Sequence, residues 1–366
     1  MTVLLAPDKF KGSLTAGEVA SAVASGLADV HPSVVVRTLP VADGGEGTVD
    51  AAVAAGYERV PVPARGPTGA PVTASYAARG DTAVVELAEA SGLHRLPGAP
   101  QPLTATSAGT GDVIAAAVRA GCRRIVLGVG GSACTDGGAG MLAALGARLL
   151  DAAGRELPFG GAALARLASL EPPNLSEVDI ELASDVDNPL YGPRGAAAVY
   201  GPQKGASPAD VETLDAALRH WASIAGPGFA ARPGAGAAGG VGFAAMAVLG
   251  ARLRPGIELL LDLLGFDAAL AGVSLVVTGE GSLDEQTLAG KAPAGVARAA
   301  AAHGIPCVAV SGRCRLSSVE LADAGISAAY ALTDLEPDPA RCMAEAAPLL
   351  RRLAHRVAID HFSLSS

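Results

Sequence analysis

The sequence has very little lysine. Four of its 27 basic residues are lysine, Lys9, Lys11, Lys204 and Lys291, and the rest are arginine. The formal net charge is −9. That balance argues against the broad basic face that nucleic acid demands and against an anionic membrane surface as partner. No CxxC pair occurs among the five cysteines, an odd number. A disulfide framework or zinc site is therefore not expected, and reduced thiols in a cytoplasm are. The first apolar run precedes Lys9 and Lys11, the reverse of a secretory leader. None of the six histidines falls in the loops rich in glycine and carboxylate, which argues against a Ser-His-Asp or His-metal centre. The Walker A motif is missing, as are the HRD and DFG signatures of protein kinases. Aromatic residues make up 3 % of the chain, so the core must be built from small aliphatic side chains.

What is present alternates. Thr2–Ala6 reads as a buried strand, followed by a helix to about Leu27 with Ser13 as its N-cap. Val34–Pro40 is a second strand, with a short helix through Val53 after it. From Glu58 to Glu86 the pattern changes to hairpins: runs at Val60–Pro63, Val72–Tyr76 and Thr82–Leu87, punctuated at Gly66–Gly69 and Arg79–Asp81. A helix from Gly109 leads to a strand at Arg124–Val129, a helix to Leu150 and a strand at Asp179–Ser184. Pro233–Ala251 lacks charge, but its glycines predict a loop entering a buried helix rather than a membrane span. Strand–helix alternation then resumes: strands at Val273–Thr278, Pro306–Ser311 and Ala328–Leu332, helices at Pro293–His303 and Ser317–Ala324, and a long helix at Pro339–Asp360. Like ends around an unlike middle predict an α/β fold, with a discontinuous doubly wound domain from residues 1–62 and 264–366 and a second domain, 63–263, inserted in it.

In open α/β sheets, ligands lie beyond the carboxyl ends of the strands. The segments there are Asp8–Ser13, Asp43–Thr48, Gly279–Thr287 and Ser311–Arg313. They combine glycines, whose backbone can approach an oxyanion, with carboxylates suited to Mg²⁺ or to a proton. Lys9 and Lys11 stand in the first of these segments, Lys291 follows Gly279–Thr287, and Lys204 lies apart in Gly201-Pro202-Gln203-Lys204-Gly205. A compact ammonium suits a tight phosphate site in a way that a guanidinium does not. Together these parts make a kit for phosphoryl transfer. Turn chemistry is the other account of each loop, and drift toward arginine is the other account of the lysines.

The residues also carry a family resemblance. Ala6–Leu14 (APDKFKGSL), Pro40–Thr48 (PVADGGEGT), Gly130–Ser132 with Asp136–Gly140, Asp185–Leu190 (DVDNPL), Tyr200–Gly205 (YGPQKG), Pro233–Gly240 and Thr278–Gly281 through Lys291 occur in the order seen in the bacterial glycerate kinase family. The chain resembles that family over about residues 3 to 315. The resemblance implies a flavodoxin-like domain with a second α/β domain inserted. It implies ATP-dependent phosphorylation of D-glycerate, with the 2-hydroxyl the usual acceptor and the 3-hydroxyl also known. Cys134-Thr135 departs from the Thr-Asn expected there.

The expected enzyme is a kinase using ATP and Mg²⁺ on glycerate in a cleft between the two domains. A cytoplasmic location is expected, without nucleic-acid or membrane partners, and a homodimer is compatible. Asp284, Asp187 and Lys9 are the catalytic candidates, with Asp8 and Asp43 as further candidates for the base. Asp8, Lys11, Ser13, Asp43, Gly44, Gly45, Glu46, Gly130, Gly131, Ser132, Asn188, Lys204, Gly279, Glu280, Gly281 and Lys291 are expected around substrate and phosphate. Asp187, Glu280 and Asp284 are expected to hold the metal. A phosphatase with an aspartyl nucleophile would need Asp-x-Asp after the first strand, where Asp8-Lys9-Phe10 stands. A non-catalytic nucleotide or metabolite sensor on the same fold is the alternative.

Overall fold

A computed structural model describes residues 1–288 and 290–362; Ala289, in the stretch between Gly279 and Lys291, and the last four residues of the tail lie outside them. The structure is mixed α/β with parallel sheets. The chain opens with strands β1 (Thr2–Pro7) and β2 (Val35–Thr38). It continues through β3 (Glu58–Arg65), β4 (Pro71–Arg79), β5 (Thr82–Glu86), β6 (Arg124–Gly128), β7 (Arg148–Leu150), β8 (Ser169–Glu171), β9 (Asp179–Ala183) and β10 (Arg252–Arg254). It ends with β11 (Leu275–Leu283), β12 (Cys307–Cys314) and β13 (Ile326–Ala331). Two compact units result. One comprises Met1–Asp43, Asp50–Ala55 and the chain from Ile257 onward; the other comprises Gly44–Val49 and Gly56–Gly256. The boundary expected at 62/63 falls inside β3, which pairs along its whole length with β4. The one expected at 263/264 falls inside the helix Gly256–Leu264.

The first unit holds a five-stranded sheet in the order β13-β12-β11-β1-β2, parallel throughout. Such strands are covered on both faces and so read as continuous apolar runs. On one face Val3, Leu5, Val277 and Val310 pack against Val19, Val23 and Leu27 of the helix Ala16–Val30 and against Leu350 and Leu353 of the C-terminal helix Ala346–His361. On the other, Leu4, Ala6, Val276 and Ala309 meet Ile257, Leu261, Val296 and Ala300. Three expectations change here. The cap of the first long helix is Thr15, not Ser13. Thr15 and Glu18 form a reciprocal capping box, while the Ser13 hydroxyl donates to the carbonyl of Met343 at 2.8 Å. The long helix expected at Pro339–Asp360 is two, Pro339–Ala344 and Ala346–His361. Pro348 cannot continue a helix through the carbonyl four residues before it. Finally, β11 runs on to Leu283 and β12 to Cys314, so Gly279–Gly281 and Ser311–Arg313 are paired strand rather than loop.

The second unit is built on a six-stranded sheet in the order β10-β9-β6-β5-β4-β3. The β3–β4–β5 part is antiparallel and the rest parallel. The turn at Gly66–Gly69 closes the first hairpin, with Gly66 N–H donating to the carbonyl of Ala70 at 2.6 Å. The helix expected to reach Leu150 stops at Ala144, and residues 148–150 instead pair as β7 with β8. Gly146, at a φ of +99°, makes that turn. The core includes Trp221, Phe243, Tyr76 and Met141. Pro233–Ala251 contains the buried helix Ala237–Ala247, inside which Ala238, Gly239 and Gly240 are left-handed. Among the described residues no helix is long and apolar enough to cross a membrane.

Candidate functional site

In the first unit, the carboxyl ends of β1, β11 and β12 bring three side chains into a row. The register pairs Pro7 with Gly279 and Glu280 with Ser311. Asp8, just past β1, donates its N–H to the carbonyl of Gly279 at 2.8 Å. Asp8 is buried. Its Oδ1 accepts the N–H of Lys9 at 2.6 Å, and among the described residues its other oxygen accepts no hydrogen bond. Burial pushes the Asp8 carboxyl up to about 7, against the pull of the Lys9 charge and with added repulsion from Asp43 and Glu280.

Glu280 is buried beside it. Burial raises its carboxyl as well. The Thr287 hydroxyl and the Lys291 ammonium oppose that shift, and Asp284 and Asp43 add to it. Thr287 Oγ1 donates to Glu280 Oε1 and accepts the N–H of Asp284 at 3.0 Å. Lys291 Nζ lies 3.8 Å from Glu280 Oε2. Asp284 accepts the N–H of Gln286 at 3.0 Å and the hydroxyl of Ser282 at 3.2 Å, so it also starts the short helix Glu285–Leu288. Asp8 thus feels the charges of Lys9, Asp43 and Glu280, and Glu280 those of Lys291, Asp284 and Asp43. Lys11 is exposed. Its backbone runs past Gly281, where an added Cβ would stand 3.4 Å from the Lys11 nitrogen.

In the second unit, the loop from Gly44 packs backbone to backbone against the ends of β6 and β9. A Cβ on Gly44 would stand 2.9 Å from the carbonyl of Ala183, and one on Gly130 would stand 2.4 Å from Gly45 Cα. Gly130 N–H donates to the carbonyl of Gly44 at 3.2 Å. Close packing accounts for these glycines without a ligand. The buried Glu86 holds the same loop, accepting Gly47 N–H at 3.1 Å and Val49 N–H at 3.2 Å. Glu46 approaches His94 at 3.8 Å.

Gly131, Ser132 and Cys134 belong to a segment stapled from below. The ammonium of the buried Lys204 donates to Ser132 Oγ at 2.8 Å and to the Cys134 carbonyl at 2.6 Å. Burial lowers the proton affinity of that ammonium and raises that of the Cys134 thiol. Asp136, fully buried, accepts Ser107 N–H at 2.8 Å, Ser107 Oγ at 2.9 Å, Gly138 N–H at 3.1 Å and Gly140 N–H at 3.2 Å. Asp187 is exposed and pairs with Arg194 at 3.1 Å. Asn188 uses both ends of its amide, donating to the Arg194 carbonyl at 2.8 Å and accepting Tyr200 OH at 2.6 Å.

The sites named from sequence therefore divide. Asp8, Lys9, Asp43, Glu280, Asp284 and Lys291 gather at one sheet edge. Ser13, Lys204, Asn188 and the glycines at 44, 45 and 130 make structural contacts. Of the residues expected to hold a metal, Glu280 and Asp284 lie in the first unit and Asp187 in the second; among the described residues no group of three His, Cys, Asp or Glu side chains is already gathered to hold an ion. Sequence reasoning missed Glu86, Asp136 as a hub, and Thr287. Glu86 ends the fully buried strand Thr82–Glu86, and a carboxylate at such a place must find donors.

Comparison with known proteins is consistent across three levels. The family model described as "Glycerate kinase family" matches residues 3–361. Glycerate kinase of Bacillus subtilis (strain 168) is 45 % identical over 344 residues, 91 % of this chain and 90 % of that protein. Glycerate 2-kinase of Escherichia coli (strain K12) is 45 % identical over 325 residues, 85 % of each chain. A crystal structure of a protein assigned as glycerate kinase 2 from Salmonella typhimurium LT2 superposes with a TM-score of 0.85 at 42 % identity, covering 98 % of both chains. The chain is an enzyme of the kinase class. It belongs to the glycerate kinase family.

Proposed function

We propose that this chain transfers the γ-phosphoryl group of ATP to a hydroxyl of D-glycerate, with Mg²⁺, and yields 2-phosphoglycerate in preference to 3-phosphoglycerate. One observation carries the reading: Asp8, Asp43, Glu280 and Asp284 gather with two of the chain's four lysines at one carboxyl edge of a parallel sheet. The names of the relatives support glycerate as acceptor, and the Escherichia coli relative's name supports the 2-position.

The donor set fits Mg²⁺. It is made of hard carboxylate oxygens, and Asp8 at its centre is buried with too little positive charge around it to hold its own charge at ordinary acidity. Glu280 and Asp284 would hold the ion. Two protein carboxylates are enough for Mg²⁺, which keeps waters and phosphate oxygens as its other ligands. When bound, it would neutralise charge on the phosphate oxygens. Lys9 and Lys291 supply compact cations for the phosphate groups. Asp8 is the base: buried beside Glu280, with one oxygen tied by Lys9 N–H, it is placed to take the hydroxyl proton on the other. This assignment replaces Asp284, whose oxygens accept from Ser282 and Gln286, and Asp187, which is exposed and paired with Arg194.

We also propose that the first unit is a flavodoxin-like, doubly wound domain and the second an inserted α/β domain. Numbered within the unit, its strands run 2-1-3-4-5, the flavodoxin order. The test of function is ADP release from ATP with D-glycerate against glycolate, lactate and glycerol, with phosphorus NMR of the product to fix the position. No release above the acceptor-free rate with D-glycerate rejects the proposal.

A further inference from the structure

The sheet face that carries Glu280 and Ser311 extends one step beyond them. There Ser282 pairs in register with Arg313, and residues two apart on a strand share a face. Ser282 and Arg313 therefore stand on the face that holds Glu280. Arg313 Nε donates to Ser282 Oγ at 3.0 Å, and Ser282 Oγ donates onward to Asp284 Oδ2 at 3.2 Å. Arg313 is exposed. Its guanidinium is thus tied at Nε, while among the described residues neither η nitrogen donates to a protein group. Such a group offers two parallel N–H donors in a fixed plane, the geometry that matches a carboxylate. One register step back, the Ser311 hydroxyl is buried without a hydrogen-bond partner, a position that an acceptor oxygen on this face would satisfy.

We infer that Arg313 binds the carboxylate of the phosphoryl acceptor, with Ser282 as a positioning residue, and that this contact makes the enzyme select hydroxy acids over neutral polyols. The inference rests on the proposed glycerate kinase activity. The lysines are less suited to this task. Lys291 lies 3.8 Å from Glu280, Lys9 bears on Asp8, and an ammonium is a point charge without the planar fork that grips both oxygens of a carboxylate.

The experiment compares wild type, Arg313→Gln, Arg313→Lys and Ser282→Ala with D-glycerate and with its neutral amide as acceptors. For Arg313→Gln the KM for D-glycerate is expected to rise roughly tenfold to hundredfold, as for loss of a charged hydrogen-bond pair. The KM for ATP and the melting temperature should hold, and the preference for the acid over the amide should collapse. Arg313→Lys should recover only part of that preference, and Ser282→Ala should raise the same KM by a smaller factor. An unchanged KM for D-glycerate in Arg313→Gln overturns the inference alone. So does a rise confined to the KM for ATP, which would assign the fork to phosphate. A wild-type enzyme inert toward D-glycerate overturns the proposed function and this inference with it.

Discussion

Thr287, buried in the first unit, donates its hydroxyl to the carboxylate of Glu280. The same oxygen accepts the N–H of Asp284, so one side chain fixes both candidate ligands for Mg²⁺. Thr287→Val keeps the shape and removes the hydroxyl. It is expected to lower kcat/KM by about tenfold or more, roughly 1.4 kcal/mol of transition-state stabilisation, and to raise the Mg²⁺ concentration needed for half-maximal rate. Thr287→Ser should keep both near wild type. Steady-state rates across a Mg²⁺ titration check this; equal Mg²⁺ requirements in all three proteins would leave Thr287 a packing residue.

Asp8 should make the empty enzyme less stable as pH rises. Its carboxyl goes from 3.8 in the unfolded chain to about 7 in the folded one. Between those values the native state holds a proton that the unfolded state has lost, so stability falls with pH. The Asp8 contribution is complete below about pH 4 and gone above about pH 7, and its full span is on the order of 4 kcal/mol. Glu280, shifted the same way, adds to the slope. Asp8→Asn should flatten the curve, be more stable than wild type at pH 8 and lose most turnover. Urea denaturation at pH 5 and pH 8 measures the first two effects, and ADP release measures the third.

Lys204 should matter to folding more than to ATP. Lys204→Met leaves Ser132 Oγ and the Cys134 carbonyl without their donor in a buried place. The expected loss is about 3 kcal/mol of unfolding free energy, with the KM for ATP within about twofold. A tenfold rise in that KM at unchanged stability would instead make Lys204 a phosphate ligand.

Asp187 and Asp284 should part company. Asp187→Asn removes one exposed ion pair with Arg194, a contact of about 0–1 kcal/mol, and turnover should stay within about twofold. Asp284→Asn keeps the helix start, since asparagine caps about as well as aspartate, but loses the charge. Its kcat should fall about tenfold or more while the melting temperature holds. Saturating ATP and D-glycerate in both assays separate the two outcomes.

Much of the first unit was legible because its strands are apolar runs with caps and glycines between them. Ser317 opens its helix as read, with Glu320 closing the box. One error has a tertiary cause. Gly279-Glu280-Gly281 has the composition of a turn, yet pairing along β12 holds it as strand out to Leu283; tertiary context overrode a local preference. Glu86 and Asp136 were obscure because their partners lie elsewhere in the chain, and Thr287 because its partner Glu280 was read as part of a turn rather than of a strand. Asp136 meets Ser107, and Glu86 meets Gly47 and Val49. Lys9 and Lys291 stand among the carboxylates, whereas the buried Lys204 donates to Ser132 Oγ and the Cys134 carbonyl.

The assembly of the first sheet also sets a schedule for synthesis. The Thr278 hydroxyl reaches the carbonyl of Ala6 across 272 residues of chain, and all of β1 waits for β11 on that side. At ribosomal rates of about 5–20 residues per second, the wait is on the order of half a minute. Throughout that interval β1 has β2 as its one sheet neighbour, and Val3, Leu4 and Leu5 lack the strand that will cover their open edge. The second unit, Gly44–Val49 with Gly56–Gly256, emerges from the ribosome whole in the meantime. Nascent-chain stalling before residue 275 should therefore yield a protease-resistant middle and a sensitive N-terminus.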